Sequence, residues 1–111
     1  MVVHIVLFRP KPDISESDRA AMFAALNAAA TEIPTLRRFH VGERITHGAA
    51  YEKMMPQDFP FAAIIEFDDR EGLQTYLRHG AHERLGELFY KLQEAALAYD
   101  YDCRPATATV D

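Results

Sequence analysis

Two stretches, Val2–Phe8 (VVHIVLF) and Phe61–Phe67 (FAAIIEF), decide the fold of this chain. Both are short, rich in β-branched and aromatic residues, and bounded by prolines or aspartates, so both read as strands. Successive strand side chains point to opposite faces. In the first stretch His4, Val6 and Phe8 share one face, and Val3, Ile5 and Leu7 share the other. In the second, Phe61, Ala63, Ile65 and Phe67 oppose Ala62 and Ile64. An antiparallel sheet with one wet face alternates apolar with polar residues. Neither stretch does, so both faces of their sheet must be covered.

Working outward, Arg9-Pro10-Lys11-Pro12 ends the first strand, because proline cannot continue a ladder. Ser15 then opens a helix, with Asp18 three residues on in a capping-box arrangement. Met22, Leu26, Ala29 and Ile33 follow at helical spacing, with Phe23 and Ala30 beside them, until Pro34 stops the run. Leu36–Ile45 reads as the second strand, and 47–60 as a long loop with Tyr51, Met54 and Met55 in reach of a cavity they would cap. After the third strand, Asp68 or Asp69 caps a helix whose Leu73, Tyr76 and Leu77 share a face. Gly80 breaks the pattern, and Ala81, Leu85, Leu88 and Leu92 continue it. Ala95–Asp102 alternates at its end, Leu97, Tyr99 and Tyr101 against Ala98, Asp100 and Asp102, and reads as the fourth strand.

The order is β-α-β-β-α-β, the ferredoxin-like α+β pattern of two split βαβ units. Right-handed crossovers put the helices on one face of a four-stranded antiparallel sheet. They cover the side of His4, Val6 and Phe8. The side of Val3, Ile5 and Leu7 stays open, as an apolar patch larger than a monomer tolerates. A two-fold copy stacked sheet to sheet closes it, so the expected partner is the chain itself, as a homodimer through Val3, Ile5 and Leu7. The alternative closure folds the loop, last strand and tail over the face within one chain. Residues 1–103 are expected to form a single domain and 104–111 a tail.

Composition narrows the function. Apolar residues make up 49% and charged residues 26% of the chain, a globular balance. The formal net charge of -5, with no basic cluster denser than Arg37-Arg38, argues against a nucleic-acid partner. Cys103 is the single cysteine, so no disulfide forms within the chain. No apolar run reaches the roughly 20 residues a membrane helix needs. These features read as a cytoplasmic protein with neither a membrane nor a nucleic-acid partner.

Chemistry concentrates at His79-Gly80-Ala81-His82, with Tyr76 one turn earlier and His4 interrupting an apolar strand face. Imidazole exchanges protons near neutral pH, and a tyrosine hydroxyl beside it can orient it or hold a carbonyl oxygen. His79 and His82 have i, i+3 metal spacing but no clearly placed third ligand, so no metal and no cofactor are expected. The carboxylates Glu66, Asp68, Asp69 and Glu71 are explained by helix capping.

The opening His4-Ile5-Val6-Leu7-Phe8, the Ile33-Pro34 pair leading into Phe39-His40-Val41-Gly42, the strand end Glu66-Phe67, Tyr76-Leu77-Arg78-His79-Gly80-Ala81-His82 and the final Asp100-Tyr101 together resemble the stress-responsive A/B barrel domain (Dabb) family. This is a branch of the dimeric α/β barrel superfamily. The resemblance implies a homodimer in which two four-stranded sheets form a barrel. It also implies a reaction, because a plant polyketide cyclase of the family closes a linear polyketide-CoA by an intramolecular aldol step. That enzyme's catalytic His, Tyr and supporting strand His match His82, Tyr76 and His4. By this resemblance His82 takes a proton from the carbon α to a carbonyl, Tyr76 bonds the base or substrate, and His4 helps place the carbonyl. The ligand is then a small apolar or β-keto molecule. Gly80 stands where the family usually has proline. Competing readings are a cofactor-free monooxygenase or isomerase of the same superfamily, and a non-catalytic stress-associated protein that binds a small ligand, with His82 and Tyr76 serving the fold.

Overall fold

The computed structural model describes residues 1–107, so the end of the expected tail, 108–111, lies outside the described residues. The elements are β1 (Val2–Pro10), α1 (Glu16–Glu32), β2 (Leu36–Glu43), a short 3-10 turn (Ala50–Met54), β3 (Phe61–Phe67), α2 (Arg70–Arg78), α3 (Gly80–Leu92) and β4 (Gln93–Asp102). The strands form one antiparallel sheet in the order β2-β3-β1-β4, the ferredoxin-like arrangement. No helix among the described residues is long and apolar enough to cross a membrane.

Local chemistry sets these boundaries. The Ser15 hydroxyl accepts the Asp18 N–H at 3.1 Å and starts α1. Asp69, rather than Asp68, caps α2 by accepting the Gly72 N–H at 2.8 Å. β1 runs on to Pro10, two residues past its expected end. A register shift between Arg9 and Pro10 lets the proline finish the strand, and Lys11 N–H returns to the Leu92 carbonyl. β2 stops at Glu43 and leaves Ile45 in the loop, whereas β4 starts at Gln93 directly after α3.

All helices pack on one face of the sheet. Val2, Phe8, Ile65, Phe67, Met22, Leu26, Ala29, Ile33, Leu73, Tyr76, Leu85 and Leu92 are all buried there. Burying such side chains stabilises the fold by roughly 1.5–3 kcal/mol each relative to exposure. Three expected core residues differ. Phe23, Ala30 and Leu77 are exposed, because each sits on the flank of its helix. On the other face, cross-strand register brings Ile64, Ile5 and Tyr99 into one row, and Ala62, Leu7 and Leu97 into the next. Ile64, Leu97, Tyr99 and Tyr101 are exposed in the single chain. The sheet therefore has one packed apolar face and one open apolar face, although Val3, expected on the open side, is already buried within the single chain.

Candidate functional site

The site forms where β1, β4 and the α2–α3 break meet on the packed face. His4 is buried, and strand register sets Asp100 directly across from it. The His4 Nδ1–H donates to the Asp100 carboxylate at 2.5 Å. That bond fixes the ring's orientation and leaves Nε2 as its free nitrogen. Asp100 is a site residue the sequence reading did not single out. The signal was present, because the β4 alternation puts Asp100 on the face that β1 gives to His4.

Tyr76 lies on the last turn of α2 and is only 1% exposed. Its ring sits between His4, at 5.7 Å centroid to centroid, and His82, at 4.7 Å, with Phe67 behind it at 5.3 Å. Its hydroxyl makes no hydrogen bond among the described residues. Burial, and secondarily the charge of Asp100, push its pKa up to about 12, so the phenol stays protonated and is a donor.

His82 is placed by the helix break. His79 ends α2 and caps α3, its Nδ1 accepting the Ala81 N–H at 3.0 Å. The chain turns there, and the first turn of α3 swings His82 back over Tyr76. The Leu77 carbonyl can only accept, so the bond to it at 3.1 Å requires a proton on His82 Nδ1. In the neutral ring Nε2 then carries the free lone pair. Burial, the largest influence, lowers the His82 pKa against the opposing Leu77 bond, and the charge of His4 lowers it further. The ring is therefore neutral at pH 7 and available as a base.

The three expected site residues thus converge on one ring cluster, with His79 beside it as a cap. No group of three or more His, Cys, Asp or Glu among the described residues is placed to hold a metal. Two cavities lie away from this cluster. One of ≈ 430 Å³ opens between α1 and the sheet, walled by Phe8, Ile14, Met22, Phe23, Leu26 and Phe61, with Lys11 and Arg19 at its rim. It shares the packed face with His4 but lies further along β1. A second, ≈ 550 Å³, lies on the open face between Leu7, Ala62, Ile64, Leu97 and the loop residues Met55 and Phe59. The loop thus overhangs the open face rather than the cavity on the His4 side.

A model of the Stress Responsive A/B Barrel Domain matches residues 2–103. The chain belongs to this family. Olivetolic acid cyclase of Cannabis sativa is a relative with 23% identity over 103 residues, spanning 93% of this chain and 97% of the cyclase. A hydroxynitrile lyase from Passiflora edulis has a similar fold, with a TM-score of 0.78 at 15% identity over 96% of each chain. A dimeric ferredoxin-like protein of Thermobifida fusca superposes with a TM-score of 0.70 at 20% identity, over 92% of this chain and 90% of that one. The same fold thus occurs in a relative named as a cyclase, in a protein named as a lyase and in one described as dimeric.

Proposed function

We propose that this Dabb protein is a homodimer whose chains each act as a cofactor-independent lyase or cyclase on a β-keto small molecule. The observation that carries the reading is the Nδ1–H bond of His82 to Leu77, which puts the lone pair of the neutral imidazole on Nε2, beside a protonated tyrosine. His82 Nε2 takes a proton from the carbon between two carbonyls, and the C–H electron pair moves into an enolate. Tyr76, with its hydroxyl free, donates to the enolate oxygen, and His4, held by Asp100, orients the carbonyl. In a cyclisation the enolate carbon attacks a distant carbonyl of the same molecule. A C–C bond forms, and the proton on His82 passes to the new alkoxide. The relatives named as a cyclase and a lyase support this class of chemistry. The lone Cys103 fits a cytoplasmic setting.

The test is deuterium exchange at the α-carbon of a β-keto thioester in D2O, followed by NMR. The His82→Ala variant should lose at least about a hundredfold in enzymatic exchange rate while keeping its circular dichroism. An unchanged rate in that variant removes the proposal. The pH profile sharpens the test. A base works only when deprotonated, and the His82 pKa is lowered, so exchange should rise through a midpoint below 6.5 and stay level above it.

One observation favours a second reading. Neither His4, Tyr76 nor His82 walls the ≈ 430 Å³ apolar cavity. A non-catalytic role would use that cavity to hold a small apolar ligand, with the histidines serving the fold. Ligand affinity, and no exchange rate, would then respond to Phe23→Asp.

A further inference from the structure

The loop between β2 and β3 is ordered beyond what a surface connection needs, yet no residue from 44 to 60 is buried. Its base is clasped at Asp58. The Asp58 carboxylate accepts from Arg44 at 2.6 Å, and its carbonyl accepts from Arg9 at 2.7 Å. The Arg9 guanidinium also lies 5.6 Å over the Phe59 ring. Its tip is tied by Glu52, whose carboxylate accepts the N–H groups of His47 and Gly48 at 3.0 and 2.7 Å. Gly48 has φ 84, a conformation that favours glycine, and the Tyr51 hydroxyl bonds His47 Nε2 at 2.8 Å.

What this scaffold presents is apolar. Ile45 is 79% and Met54 75% exposed, and Tyr51 and Met55 are exposed beside them. Exposed apolar side chains gathered on one hydrogen-bonded loop mark a contact surface. Its location says which contact. Met55 and Phe59 wall the open-face cavity together with Leu7, Ala62, Ile64 and Leu97. The loop is thus continuous with the sheet surface expected to pair with a second copy.

We propose that this loop is a preformed arm that clasps the second copy of the chain, with Ile45, Met54 and Met55 as its contact points. The inference rests on the homodimer of the preceding section and adds a second contact region outside the sheet. The arm is fixed before association, so little ordering entropy is lost on pairing, which tightens the dimer. Two-fold symmetry makes every arm contact occur twice.

Sedimentation velocity over a dilution series separates the two claims. Wild type should be a dimer, Ile64→Asp should be a monomer, and Tyr90→Asp, on the helix side and 93% exposed, should match wild type. The Met54→Asp/Met55→Asp double variant should raise the dimer Kd by at least about tenfold. Monomeric wild type would overturn the homodimer and the arm together. A dimeric wild type with an unchanged Kd in the double variant would overturn the arm alone. The chain has no tryptophan, so Met54→Trp supplies a single reporter. Its emission should shift red as the dimer is diluted apart; constant emission through dissociation would also overturn the arm.

Discussion

One strand, β1, meets two environments. Its even-numbered residues face the helices, and there Val2, His4 and Phe8 are buried. Its odd-numbered residues face the other way, where Ile5 and Leu7 sit in rows beside exposed Ile64, Leu97 and Tyr99. The residue types on the two faces are nearly alike, and the difference lies in what packs on them. Within β1 the packed face buries a polar side chain, His4, and there the cost of burial is met by Asp100. Apolarity alone therefore does not mark the working face. The face that carries both a buried histidine and its carboxylate does.

The largest expected effect separates neighbouring residues on opposite faces of β1. Phe8 packs on Phe89 at 4.9 Å and Phe61 at 5.5 Å between centroids. Phe8→Ala should cost about 3–5 kcal/mol of stability in urea unfolding. Leu7→Ala, measured dilute enough to keep copies apart, should cost clearly less, because Leu7 is only partly covered by its own chain. Equal losses would mean the open face is packed within a single chain.

The next effect is smaller and concerns the polar pair. Asp100→Asn keeps the shape but removes the charge facing His4, and should cost about 1 kcal/mol. It should also lower the Tyr76 pKa from about 12, since the charge of Asp100 helps to raise it. Tyrosinate absorbance against pH reads this directly, and the most alkaline part of the titration should move toward lower pH. An unmoved titration would mean that Asp100 does not reach the cluster.

The smallest effect is at the helix break. Gly80 is the first residue of α3, and a Cβ there would meet only Arg84, at 3.7 Å. The preceding His79 has φ -71 and ψ 142, which a following proline accepts. Gly80→Pro should therefore stabilise the fold by roughly 0.4–1 kcal/mol, visible as a higher Tm. A lower Tm would show that the break needs glycine's freedom.

Strong, uninterrupted patterns made much of the fold legible in the sequence. β3 falls at 61–67 because apolar residues fill it and prolines and aspartates bound it. Ser15 and Pro34 bracket α1 for the same local reasons. Boundaries set by pairing rather than by local chemistry were harder to read. The extension of β1 to Pro10 depends on a bulge against β4, and the early start of β4 on the Leu92 carbonyl receiving Lys11. At the site, His4, Tyr76 and His82 were visible as polar interruptions of apolar faces. The bond to Asp100 required the β1–β4 register, and the tautomer of His82 required the Leu77 carbonyl, a backbone group that no side-chain pattern reveals. The loop was visible as long and Met-bearing. Its Asp58 clasp joins residues far apart in the chain, and its overhang is on the opposite face from the one expected.

On the reading proposed above, the open face pairs copies while each chain's packed face carries the chemistry on its own. The most direct test is the α-carbon exchange rate per chain of Ile64→Asp, measured where sedimentation shows a monomer and circular dichroism shows the native fold. The rate should stay within a few-fold of wild type. A folded monomer that has lost exchange, beside a wild-type dimer that retains it, would show instead that the site spans both copies.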